Sequence, residues 1–276
     1  KPCIIRLPCG VSDTVCQEEN EMGASKTPSE PNTPPTFTDS ELVIAAFTEL
    51  AAEYEATVDR ELRMFWGVSY RDFLTRFLAI AATAPGESVL DVATGTAFLP
   101  PQIAATVGAE GRIVGLDITP AMLVHAAQRL AALGWTERTP LVCGSALAMP
   151  LASARFDLVL CALGTHHMNV PLLAAEIHRV VRPGGRIVLA DVCANDFWRS
   201  LAGVLLLRLL IIGYGLALRS VRAQAEIEAF GNVRTPNEWR VLLTEHGFTD
   251  IVIETIRSRF PWYPSGIIVS ARRPSG

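Results

Sequence analysis

Three short groups of residues in this chain carry side chains that could do chemistry. The first is Asp91-Val92-Ala93-Thr94-Gly95-Thr96-Ala97, an acid at the end of an apolar run followed by small residues. Such a loop lets a ligand approach the backbone, and Gly95 can take φ values that other residues avoid. The helix expected after it offers free N–H groups and the positive end of its dipole. The second group ends at Asp117, the last residue of Arg112-Ile113-Val114-Gly115-Leu116-Asp117. It lies roughly twenty residues beyond the loop, where a carboxylate accepts hydrogen bonds from both hydroxyls of a ribose. The third is His166-His167, just past the apolar run 156–163. An ordinary imidazole pKa near 6.5 suits proton removal at neutral pH. The chemistry is therefore the binding of a nucleoside-bearing ligand beside a pair of proton acceptors. The loop reads D-x-A-x-G-x-A, with one firm glycine and no basic residue nearby, so a pyrophosphate is not the expected ligand.

The elements that must position these groups follow from periodicity and breakers. Val89, Leu90 and Val92 read as a buried strand. Arg112 to Asp117, Pro140 to Cys143, Phe156 to Leu163 and the run ending at Leu189 read as further strands, each feeding a helical segment. Pro100 and Pro101 suit the first turn of one helix, and Thr119-Pro120 opens another. Before the loop, a helix is expected from Asp39 or Ser40 through Val58, and a second over about 61–83. Asn237 to Gly247 reads as a helix, Thr249 to Ile256 and Gly266 to Ala271 as the last two strands. Alternating strands and helices imply an α/β fold with a doubly wound, mostly parallel, seven-stranded sheet and helices on both faces.

Size and composition set the bounds. The 276 residues, half of them apolar, suffice for one large domain with a full core. A formal net charge of -4 argues against a nucleic-acid partner, which calls for a basic face. Residues 17–40, rich in Glu, Ser, Thr, Pro and Asn, cannot bury enough surface to offset ordering entropy. Residues 1–38 are therefore expected as a disordered tail before a domain over 39–276. Residues 1–20 show no secretory pattern. No C-x-x-C spacing occurs, so no metal site is expected. Cys143, Cys161 and Cys193 read as small buried apolar side chains, and a cytoplasmic setting is the simplest expectation.

The ordered set of motifs resembles the class I S-adenosylmethionine (SAM)-dependent methyltransferases, in the branch of ubiquinone/menaquinone biosynthesis. Phe47-Thr-Glu-Leu-Ala-Ala-Glu-Tyr54-Glu is similar to that family's segment before the core. Glu176 to Leu189, with Arg182-Pro183-Gly184-Gly185, resembles its glycine turn and fifth strand. The resemblance runs from about 47 to 191 and implies a Rossmann-like methyltransferase fold. It implies SAM as cofactor, with S-adenosylhomocysteine as product. It places Asp91, Ala93, Thr94, Gly95 and Thr96 on the cofactor, Asp117, Ile118 and Met122 at its ribose end, and Ser145, Ala146, Leu147 and Ala162 around the adenine and the strand ends. Tyr54 would close over the amino-acid end, or else is a core aromatic. Ser145 stands where the family usually has an acid. His166 and His167 are the catalytic candidates, as base or as residues that pack the loop.

Three function classes remain open at this point. One is methyl transfer to a lipophilic small molecule such as a quinol, phenol or polyketide-like acceptor. The second is arsenite methylation through cysteine thiolates. The third is a SAM-binding, non-methylating, pericyclase-type enzyme. The apolar segment 197–220 favours the first, as part of a helical lid over about 196–247. Arg208 at its centre and three glycines argue against a membrane span; contact with a membrane surface ranks after the lid. The sequence sets no oligomeric state.

Overall fold

The computed structural model describes residues 3–5, 41–200, 203, 221–260 and 263–276. Its strands are β1 (Cys3–Ile5), β2 (Ser88–Val92), β3 (Arg112–Asp117), β4 (Leu141–Cys143), β5 (Phe156–Ala162), β6 (Val181–Cys193), β7 (Thr249–Ile256) and β8 (Ser265–Arg272). They form one sheet in the order β1-β4-β3-β2-β5-β6-β8-β7. The five strands from β4 to β6 run parallel, and β8 inserts antiparallel between β6 and β7. The expected doubly wound sheet of seven strands is present. An eighth, β1, adds antiparallel to β4, so the expectation of a tail without structure over 1–38 is corrected at these three residues. The other tail residues, with Cys9 and Cys16, lie outside the described residues.

Central strands covered on both faces carry apolar side chains at successive positions. Val89, Leu90 and Val92 of β2 are all fully buried, as are Leu158, Val159, Leu160 and Cys161 of β5. One face packs against α6 (Val170–Val180) and α9 (Pro236–Glu245), through Leu173, Ile177, Trp239 and Leu243. The other packs against α2 (Tyr54–Phe65), α3 (Tyr70–Ala81) and α4 (Pro100–Val107), through Leu62, Phe73, Phe77 and Ile103. Beyond these, α5 (Pro120–Ala132) follows β3, and α1 (Glu41–Leu50) lies against α8 (Val221–Ala229). Asp196–Arg199 is a single turn, α7.

The two expected N-terminal helices are divided differently. The first breaks at the 3₁₀ turn Ala51–Glu53, so Tyr54 begins α2 rather than sitting inside a longer helix. The second breaks at Gly67, whose φ of 72° ends α2, and Ser69 caps α3 by accepting from the Asp72 N–H. The break lets Trp66 turn into the core, where its indole N–H donates to the Pro264 carbonyl. The Arg182-Pro183-Gly184-Gly185 stretch lies inside β6, where the register against β5 shifts. Most of the apolar segment 197–220, with Leu206, Arg208 and Leu210, lies outside the described residues. No helix among the described residues is long and apolar enough to cross a membrane.

Candidate active site

The carboxyl ends of β2, β3, β4, β5 and β6 carry the chemistry-bearing residues, as parallel-sheet topology requires. The loop after β2 holds Ala93, Gly95 and Ala97 at φ of 53°, 55° and 56°. Left-handed backbone at alternate positions is thus met by one glycine and two alanines, and each alanine costs roughly 1–2 kcal/mol. The small side chains also permit a close approach: a Cβ on Gly164 would stand 3.0 Å from that of Ala93. The turn is held from both sides. The Thr94 N–H donates to the Leu116 carbonyl at 3.0 Å and the Gly95 N–H to Asp117 Oδ2 at 2.8 Å. The other oxygen of Asp117 accepts from the Thr119 N–H at 2.8 Å.

A narrow cleft opens above this loop. Of the expected cofactor residues, Tyr54, Asp91, Ala93, Thr94, Gly95 and Ala162 line it. Asp117, Ile118 and Met122 follow at the end of β3, and Ser145, Ala146 and Leu147 at the end of β4, the next strand outward. The Ser145 hydroxyl accepts from the Leu147 N–H. Met122 is buried to 2% in the α5 packing. Thr96 turns away from the cleft and donates to Glu55, which also binds Arg129 of α5 at 2.5 Å. This ties α2, and with it Tyr54, onto the loop. Sequence reasoning missed Tyr70, Phe98 and Leu99, which complete the lining. Tyr70 read as one apolar position of a helix; Phe98, an aromatic directly after the small residues, was the available signal.

Two buried acids stand at this sheet edge, Asp91 in the cleft lining and Asp117 at the end of the neighbouring strand. Burial pushes the Asp91 carboxyl up to about 7; the Thr94 hydroxyl, donating at 2.6 Å, opposes this, and the nearby Asp117 charge adds to it. Burial raises Asp117 too, against the pull of its backbone N–H donors. Carboxylates that pay little to ionise would stay in water; these two are placed to meet a cation and hydroxyl groups. The donor set fits SAM, whose ammonium suits Asp91 and whose ribose suits Asp117. Asp117→Ala is expected to weaken calorimetric SAM affinity by about 1.5–3 kcal/mol, the loss associated with charge-assisted hydrogen bonds. Unchanged affinity would remove the ribose role.

Across the β5 end, the 3₁₀ turn Thr165–His167 carries the histidine pair. His166 Nδ1 lies 2.5 Å from Asp191 Oδ1 on β6. Asp191, 2% exposed, also accepts from the Thr165 hydroxyl and from the N–H groups of His166 and Val192. Burial alone would lower the His166 pKa, but the Asp191 charge and hydrogen bond, with Glu226, carry it up to about 9. His167 goes the other way: burial and the His166 charge hold it well below the usual range. Its Nδ1 is buried and has no hydrogen-bond partner among the described residues. Its ring meets Phe47 edge-on, with centroids 5.0 Å apart. A smaller cavity lies there between Ala46, Phe47, Leu50, His167, Arg222, Ala225 and Glu226. Asp191, Arg222 and Glu226 were not singled out from sequence. Asp191 carried the same signal as Asp91 and Asp117, an acid near the carboxyl end of a strand.

Comparison with known proteins gives the same answer from another direction. The family described as "Methyltransferase domain" matches residues 89–185. The demethylmenaquinone methyltransferase of Symbiobacterium thermophilum is 30% identical over 146 residues, 52% of this chain and 57% of that protein. The ubiquinone/menaquinone biosynthesis C-methyltransferase of Cereibacter sphaeroides is 31% identical over 152 residues, 54% of this chain and 58% of that protein. The match thus spans a little over half the length of these curated relatives. Among solved structures, the geranyl diphosphate C-methyltransferase of Streptomyces coelicolor superposes with a TM-score of 0.60 at 14% identity, over 80% of this chain and 86% of that one, a likeness of fold. Residues 89–185 thus match a methyltransferase domain, and over a little more than half its length the chain is similar to the ubiquinone/menaquinone-biosynthesis methyltransferases.

Proposed function

We propose that this chain transfers the methyl group of SAM to a lipophilic small-molecule acceptor of the quinol, phenol or polyketide-like class. The observation that carries this reading is the arrangement along one sheet edge. Asp91 and Gly95 line one cleft with Asp117 at the end of the neighbouring strand, and a second, smaller cavity is walled by Ala46, Phe47, Leu50 and Ala225 together with His167, Arg222 and Glu226. The curated relatives are named for menaquinone and ubiquinone biosynthesis, which suits an apolar acceptor. SAM supplies an electrophilic methyl on a good leaving group, so the protein's work is alignment and exclusion of water. Phe47 and Leu50 exclude water from the acceptor side. Tyr54, fastened through neighbouring Glu55 to Thr96 and Arg129, covers the cofactor side. The acceptor's nucleophilic atom supplies the electron pair of the new bond, the carbon–sulfur pair stays on sulfur, and the acceptor loses a proton. Of the two expected bases, His167 is the one held unprotonated at neutral pH.

The cysteines do not favour metalloid chemistry. Cys161 and Cys193 are buried, and burial pushes their thiols up, Cys193 to about 12, away from the thiolate a metalloid needs. The test is incubation with SAM and a library of reduced quinones and phenols, followed by mass spectrometry. One methyl group added to an apolar acceptor is expected. Methylation confined to arsenite, or acceptor rearrangement without methylation, would replace this reading.

A further inference from the structure

His166 Nε2 points at a carboxylate that it does not reach. The other ring nitrogen, Nδ1, is committed to Asp191 at 2.5 Å. Asp191 is buried and also accepts from the Thr165 hydroxyl and from the N–H groups of His166 and Val192. An ionised carboxylate only accepts, so Nδ1 carries the hydrogen and the lone pair of the neutral ring lies on Nε2. Glu226 Oε2 stands 4.0 Å from Nε2. A hydrogen bond would close to about 3 Å. Two electron-rich atoms held face to face at this separation leave room for a cation between them. His167 supplies a third donor: one of its ring nitrogens and the facing atoms of His166 and Glu226 all lie within 4.8 Å of one another. Its Nδ1 is buried with no hydrogen-bond partner among the described residues, and Phe47 holds the ring edge-on. His167 and Glu226 both line the smaller cavity. Arg222, the cation beside them, is bound to Glu61 at 2.6 Å and stands 3.8 Å from the other oxygen of Glu226, which leaves Oε2 for a different partner.

We propose that His166, His167 and Glu226 form a divalent transition-metal site, with zinc the ion the donors suit and an open position toward the cavity of Phe47 and Leu50. Two imidazoles and one carboxylate are a three-ligand zinc set that leaves the fourth place to water or substrate. A carboxylate on the far nitrogen of a ligating histidine, here Asp191 on His166, is the outer partner that orients such a ring. Zinc bonds of about 2.0–2.2 Å at tetrahedral angles put ligand atoms about 3.4 Å apart, so the set must close by up to about 1.4 Å. Glu226, 41% exposed on α8, can make most of that move by turning its side chain. The lack of C-x-x-C spacing pointed away from a metal; these ligands come from the 3₁₀ turn after β5 and from α8, which no spacing rule joins. The site deepens the methyltransferase reading and rests on it only for what the ion does, not for its binding. In that role the ion takes a hydroxyl oxygen of the acceptor, and the hydroxyl proton passes to water. The pair of that oxygen, or of a ring carbon conjugated with it, makes the new bond as the carbon–sulfur pair leaves with sulfur. A methylated ring carbon then loses its own proton to water.

Zn²⁺ and Co²⁺, each added alone to chelator-treated protein, read the site. Calorimetry should show zinc binding that Glu226→Gln weakens at least about tenfold, with the melting temperature of the metal-free protein unchanged. Glu226→His, which replaces the ligand oxygen by a nitrogen, should restore most of the affinity, as no merely electrostatic role of the carboxylate would. Asp191→Asn should weaken zinc binding about 10–100-fold, the effect of losing an outer partner. The first equivalent of Co²⁺ should give the intense visible bands of four-coordinate cobalt. It should lack the near-ultraviolet thiolate band that binding to any of the six cysteines would produce. Catechol should alter the visible bands by entering the open position. Equal zinc binding by Glu226→Gln, a loss that Glu226→His does not restore, a thiolate band in the first equivalent, or bands indifferent to catechol would overturn the proposal. Zinc binding of the expected kind in a protein that binds no SAM would support the site and count against the methyltransferase reading.

Discussion

Asp191→Ala is expected to lower the stability of this protein by about 3–5 kcal/mol at pH 6, the cost of leaving a buried charge without its partner. The carboxylate it removes is 2% exposed and accepts four hydrogen bonds. Its loss strands the His166 ring as well as three other donors. The pH dependence separates the ion pair from the neutral bonds. Burial would raise Asp191, but the His166 charge and hydrogen bond outweigh it and hold the carboxyl below its usual range. A depressed carboxyl stabilises the fold above the unfolded pKa near 4, and the effect is lost as acid protonates the folded form. His166 is raised from about 6.5 to about 9, so its share is whole below 6.5 and is lost as pH rises through 9. Both shifts describe one interaction and are counted once. Urea unfolding of wild type and variant should therefore differ most between about pH 4 and 6.5 and converge partly by pH 9.5. A difference that stays constant from pH 5 to pH 9.5 would mean that packing and neutral hydrogen bonds, not the ion pair, hold this corner.

Asp91→Asn should have the opposite sign at alkaline pH. The folded protein keeps the Asp91 proton up to about pH 7, whereas an unfolded chain releases it near 4. Between those values the native state binds more protons than the unfolded one, so this carboxyl subtracts stability as pH rises. Asparagine cannot ionise, and its side-chain oxygen can still accept from Thr94. The variant is expected to match wild type near pH 4 and to exceed it at pH 8 by on the order of 2–4 kcal/mol. The gain comes with a loss of function. A buried carboxylate beside the cleft is placed to meet the cationic end of SAM. Its removal should cost about 1.5–3 kcal/mol of SAM affinity at pH 8. In wild type, affinity should weaken as pH falls below about 7, because the proton and the cation compete for the same carboxyl; in the variant the curve should be flat. Parallel curves for the two proteins, in either stability or affinity, would show that Asp91 does not ionise in the cleft.

The sequence by itself determined the sheet and which acids and small residues stand at its carboxyl edge. Strands β2, β3 and β5 are short apolar runs bounded by breakers, and burial on both faces makes such runs readable without any partner. Asp91, Gly95 and Asp117 were legible for a related reason. Each lies at the carboxyl end of a parallel strand, and topology alone brings such ends to one edge. The last two strands and the helix expected over Asn237 to Gly247 were also visible, since apolar periodicity and breakers are local. The two N-terminal helices were found but divided in the wrong places. The break at Ala51–Glu53 carries no local signal and brings Tyr54 to the cleft, whereas the break at Gly67 is a local glycine stop inside the expected second helix.

Tertiary structure decided the surroundings of the histidine pair. Asp191 is 25 residues from His166, and only the pairing of β6 beside β5 brings it to Nδ1. Glu226 and Arg222 come from a helix beyond the apolar segment, and Phe47 from a helix far before the sheet. No spacing rule connects these positions. Two histidines adjacent in sequence read alike, as bases with pKa near 6.5. The fold drives them apart, one raised by a buried carboxylate and the other lowered by burial and its neighbour's charge. An imidazole's protonation is set by charges and solvent within a few ångströms of it, and in this protein that neighbourhood is assembled from β6, α1 and α8, which only folding brings together.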